Sequence, residues 1–97
     1  MADERRAEIE RNARRVAEHL ARSESEFGGE GVSEDSLAEA TGLSHEDVAS
    51  AIDYLENRED VVRFPHPLST PPRTVLKPGR GWPDLKAQVA GGGAGGG

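Results

Sequence analysis

Three histidines, His19, His45 and His66, are the side chains best suited to metal binding or proton transfer, and they are scattered along a chain of 97 residues. A zinc site needs several ligands drawn together at short spacing. None of the three has a second ligand so placed, and surface histidines are expected. Cysteine is absent, which excludes disulfides and thiolate metal sites. Gly28-Gly29-Glu30-Gly31 lacks the preceding strand and the lysine of a phosphate-binding loop. Ser, His and Asp all occur, but without the strand-turn-helix elbow that presents a nucleophile. The expectation is a binding protein with no active site and no cofactor.

What remains for chemistry is charge, and its layout matters more than its total of −6. Residues 1–23 carry six Arg against five acids, and residues 24–60 carry twelve acids against Arg58 alone. Residues 61–97 carry five basic groups against Asp84. The middle segment repels polyanions and the C-terminal third attracts them. Basic groups of that third fall at Arg63, Arg73, Lys77 and Arg80.

The elements that position these groups follow from periodicity. From Asp3 to Arg22, the apolar residues Ile9, Ala13, Val16, Ala17 and Leu20 form one stripe of a 3.6-residue period. Asp3 and Glu4 suit the positive end of that helix, and Glu10–Arg14 and Glu18–Arg22 are spaced for ion pairs. Ser23 to Val32 contains three glycines and predicts a break, with Phe27 packed on the core and Val32 in a very short strand. Ser33 is placed to cap a second helix that ends at Gly42. Ser44 caps a third, with Asp47 three residues on and Val48, Ala51, Ile52 and Leu55 as its core face.

After Asp60 the period changes. Val61–Phe64 and Arg73–Lys77 read as strands, separated by a proline-rich loop from Pro65 to Pro72. Trp82 to Ala90 is compatible with a short final helix, with Pro83 in its first turn and Trp82 closing the core against the first helix. One domain over residues 1–90 is expected, followed by a flexible Gly-rich tail over 91–97. No apolar run approaches the ~20 residues of a membrane span, and the N-terminus does not read as a secretory signal. A soluble cytoplasmic protein is expected.

The segment Leu37-Ala38-Glu39-Ala40-Thr41-Gly42-Leu43-Ser44, followed by Val48, Ile52 and Leu55, resembles the winged helix-turn-helix family, as in small bacterial and archaeal regulators of the MarR and ArsR type. Ala38 lets two helices cross closely, Gly42 makes the corner, Leu43 plugs its angle and Ser44 caps the next helix. The likeness spans about residues 5 to 78. It implies a mainly α fold with a small β-hairpin: three helices plus a two- or three-stranded wing.

The resemblance also implies a site. In the family the third helix enters the major groove of duplex DNA and the wing touches phosphates. Carried onto this chain, helix 44–58 presents Ser44, His45, Ser50 and Asn57, with Glu46 and Asp53 among them. The wing presents Arg63, Arg73, Thr74, Lys77 and Arg80 over residues 63–80. Two functions follow. One is a DNA-binding transcriptional regulator. The other is a protein–protein interaction module whose acidic helix-turn-helix face meets a basic partner. Arg11, Arg14, Arg15 and Arg22, on the outer face of the first helix, offer a further surface to an acidic partner or to a second copy. Helical ends form the dimer interface in many relatives, which makes a homodimer a further expectation.

Overall fold

The structure is a computed structural model that describes residues 2–65 and 74–95. Its elements, in chain order, are α1 (Ala2–Arg22), α2 (Glu24–Gly28), β1 (Val32–Ser33), α3 (Glu34–Thr41), α4 (His45–Asn57), β2 (Val61–Pro65), β3 (Thr74–Pro78) and α5 (Trp82–Gly95). The protein is mainly helical, with a small antiparallel sheet in the order β1-β3-β2. Val32 faces Leu76 in one ladder, and Val62 faces Lys77 in the other.

Among the described residues, five helices stand where three core helices were expected. The extra short one, α2, occupies the glycine-rich stretch that predicted a break. Its glycines fall at and beyond its end, and burial of the Phe27 side chain holds the turn against the core. At the other end, α5 continues to Gly95, five residues into the expected tail. Glycine is costly in a helix, by about 1 kcal/mol per residue relative to alanine. Extending a helix already anchored by Trp82 and Val89 carries no new nucleation cost, however.

The capping residues do what their types predict. Ser33 accepts a hydrogen bond from the Ser36 amide at 3.1 Å, and Ser44 accepts one from the Asp47 amide, also at 3.1 Å. Gly42 ends α3 with φ of 75°, a left-handed conformation that a Cβ would strain. Pro65, expected in the loop, is the last residue of β2. The rest of that loop, with His66, and also Arg73 lie outside the described residues.

The buried side chains form one cluster. Of the stripe on α1, Ala13, Val16, Ala17 and Leu20 are buried, and Ile9 is half-buried. They meet Leu37 of α3, the Val48, Ala51, Ile52 and Leu55 face of α4, and Val61 and Leu76 of the sheet. Each large aliphatic so enclosed contributes about 1.5–3 kcal/mol relative to exposure. Trp82 closes this core as expected, its ring edge-on to Phe27 with centroids 4.8 Å apart.

Candidate interaction surface

The outer side of α4 is where a polymer would be read if this helix were a recognition helix. Glu46, Asp53 and Asn57 are exposed there, as their spacing against the buried stripe requires. Ser50 is not available in the same way. It is half-buried, and Arg5 reaches over from α1 to place Nη2 3.5 Å from its Oγ. The same guanidinium stands 3.6 Å from Asp47. Ser44 spends its hydroxyl on the cap, and His45 lies 3.4 Å from Asp35 with both side chains exposed.

The cations of the β2–β3 hairpin also have partners. Arg63 of β2 is only 27% exposed and lies among three carboxylates: Asp53 at 2.8 Å, Glu56 at 2.9 Å and Glu34 at 3.4 Å. Strand β2 carries it there because the chain turns back across α4 after Asn57. Burial alone pulls the Arg63 pKa down. The hydrogen bond and charge of Asp53, with Glu56 and Glu34, outweigh that and hold it above the ordinary arginine value. A raised pKa leaves the associated stability intact below the unfolded value and removes it only as pH rises through the elevated one. The guanidinium is therefore charged and paired throughout the neutral range.

Arg80, after β3, sits 3.0 Å from Glu59. Lys77 lies over the ring of Phe64, 5.7 Å from its centroid, a cation–π contact that also half-covers the one large apolar side chain exposed among the described residues. Thr74 is exposed at the end of β3, opposite Pro65. Of the residues expected to contact phosphate, Arg63 and Arg80 are thus tied to carboxylates, and Arg73 lies outside the described residues.

What the structure assembles is an acidic face. Glu34 and Asp35 open α3, and Glu46, Asp53 and Glu56 project from α4. Around Arg63, three carboxylates meet one guanidinium, so the cluster is net negative. The acid run over 24–60 signalled that charge. Its convergence on a cation of the hairpin was not visible, because Glu34 and Arg63 are 29 positions apart.

A second feature had no sequence signal. A groove of about 440 Å³ runs between α1, the end of α4 and α5, with Arg11, Arg14, Tyr54 and Leu85 in its walls. At its edge Asp60 is buried and accepts from Arg58 Nε at 3.3 Å. Arg58 also lies over the Tyr54 ring, 5.6 Å from its centroid.

Among the described residues no three His, Asp or Glu side chains gather as metal ligands, and no helix is long and apolar enough to cross a membrane. Comparison with protein-family models, with curated proteins and with solved structures finds no match to this chain.

Proposed function

We propose that this chain is a winged helix used as a protein-interaction module, whose acidic α3–α4 face binds a basic segment of a partner protein. The winged-helix part of the reading is supported by the succession α1, β1, α3, α4, β2, β3 with sheet order β1-β3-β2. The functional part rests on one observation. Arg63, one of the wing residues expected to meet a phosphate, is enclosed by Asp53, Glu56 and Glu34.

Affinity for duplex DNA comes mainly from cationic contacts to its backbone. Here the helix that would enter the groove carries no Lys or Arg between His45 and Asn57. A phosphate brought to Arg63 would also meet the carboxylates that already hold it. A basic peptide finds the opposite situation: the clustered carboxylates steer it in and pair with it. Duplex DNA is the competing ligand, favoured by the same topology, by the exposed Asn57 and Thr74 and by the half-buried Lys77.

The two ligands separate in one experiment. The full chain, labelled with nitrogen-15, is titrated at low salt with an arginine-rich peptide and, separately, with a mixed-sequence duplex. The proposal expects amide shifts at Glu34, Glu46, Asp53 and Glu56 with the peptide, fading as salt rises, and none with the duplex at millimolar concentration. Shifts over Ser44–Arg58 and β3 with the duplex, and none with the peptide, would return the assignment to DNA.

A further inference from the structure

The acidic face leaves one group of cations unexplained. Arg5, Arg6, Arg58, Arg63, Arg80 and Lys86 each lie within 4.0 Å of a carboxylate. Arg11, Arg14, Arg15 and Arg22 pair with no carboxylate among the described residues, and all four are exposed. The Glu10–Arg14 and Glu18–Arg22 pairs that the spacing predicts do not form among the described residues. Instead Glu10 is held by Arg6 at 3.4 Å.

Two of these unpaired guanidiniums, Arg11 and Arg14, stand in the wall of the groove between α1, α4 and α5. The groove's own carboxylates are already neutralised, Glu10 by Arg6 and Asp60 by Arg58. What the groove presents is therefore an uncompensated positive pair beside an apolar wall formed by half-buried Leu85 and buried Val89. From this juxtaposition we infer that the groove is a second docking site, which takes an acidic segment of a partner protein carrying a single apolar anchor side chain. The anchor packs against Leu85, and the flanking carboxylates meet Arg11 and Arg14.

Nucleic acid fits this groove less well. Its one aromatic wall, Tyr54, has Arg58 over its ring, which competes with a base for stacking, and an apolar wall offers nothing to phosphates. A second copy of this chain is also a poor occupant. Its acidic helices α3 and α4 already bury their apolar residues, Leu37, Val48, Ile52 and Leu55, in their own core and have no anchor to spare. The inference does not depend on the α3–α4 assignment, since the surface is different and the partner's charge opposite.

The test uses the full chain and three probes at low salt: a peptide with one leucine flanked by glutamates, the same peptide with serine for the leucine, and a single-stranded oligonucleotide. Amide shifts at Arg11, Ala13, Arg14, Leu85 and Val89 are expected with the leucine peptide and only weakly with the other two. The double variant R11Q/R14Q is expected to weaken the leucine peptide about tenfold, the worth of two exposed charge pairs. Both side chains are exposed, so the variant keeps its spectrum. Equal response to the serine peptide or the oligonucleotide would overturn the inference and leave a patch that reads charge alone. Absence of shifts would overturn it too, as would concentration-dependent shifts at the same amides without any probe, which would assign the groove to self-association.

Discussion

The guanidinium of Arg63 and the carboxylate of Asp53 lie 2.8 Å apart, which joins strand β2 to the outer side of helix α4. With Glu56 and Glu34 completing the group, one cation holds together the start of α3, the second half of α4 and strand β2. The residue that the hairpin's charge would assign to an external anion serves as an internal clamp. It also lowers the mutual repulsion of the carboxylates around it.

Replacing Arg63 with Gln is therefore expected to destabilise the fold by about 1–2 kcal/mol, because three carboxylates lose their shared donor. Asp53→Asn leaves two acids on the guanidinium, and its cost is expected to stay within about 0.5 kcal/mol, as for other exposed pairs. Urea denaturation of the two variants tests the asymmetry. Equal costs would mean that Arg63 and Asp53 act as an isolated pair. R63Q, if folded, is also expected to bind a basic peptide more tightly than the parent.

The contact between Phe27 and Trp82 fixes α2 and α5 onto the same end of the core. Removing either ring takes away its buried area and the edge-to-face term. Phe27→Ala and Trp82→Ala are each expected to cost about 3–5 kcal/mol. Trp82 is the only tryptophan in the chain and is buried. Its fluorescence in the parent therefore reports unfolding directly, and in Phe27→Ala it is expected to shift to the red before global unfolding. An unchanged emission maximum in that variant would show that Phe27 does not shield the indole.

How much of this was legible in the sequence depended on whether the cause was local. The α1 stripe, the caps at Ser33 and Ser44 and the left-handed stop at Gly42 are all set by residues within one or two turns of each other. Periodicity and capping rules read such features well. The site was less legible because its determinants are distant in the chain. Arg5 covers Ser50 from 45 positions away, and nothing near Ser50 announces it. A basic residue on a hairpin looks the same in sequence whether it faces solvent or three carboxylates. The short helix α2 escaped for another reason: its glycines speak against it locally, and only burial of Phe27 in the tertiary core favours it.

The end of α4 carries a strain that a single substitution can relieve. Glu59 has φ of 64°, the one positive value among described non-glycine residues. Its amide donates to Glu56 and the Asp60 amide donates to Leu55, both at 2.9 Å, the pair of bonds that closes a Schellman cap. Glycine is the residue best suited to that position. Glu59→Gly is expected to gain about 0.5–1 kcal/mol from the backbone, offset in part by loss of the exposed Arg80 pair. Thermal unfolding of Glu59→Gly beside Glu59→Ala separates the terms. Alanine loses the same pair without relieving the strain, so it must be the less stable of the two for the cap argument to hold.

The same junction makes Gly79 intolerant of any side chain. Its amide donates to the Asp60 carbonyl at 3.0 Å, and the two backbones approach so closely that a Cβ at position 79 would run into the Glu59 carbonyl. Backbone cannot swing aside as a flexible side chain can, so the contact is relieved only by parting β3 from the end of α4. Gly79→Ala is expected to cost about 2–4 kcal/mol. Gly28→Ala is the matched control, since a Cβ there meets nothing within 4 Å and alanine favours the helix. Parting this junction would also disturb Asp60 and its pairing with Arg58 at the edge of the α1–α4–α5 groove. Hydrogen exchange in Gly79→Ala is therefore expected to quicken at Asp60, Gly81 and Leu85 together. Quickening confined to the hairpin would mean that the groove and the hairpin are mechanically separate.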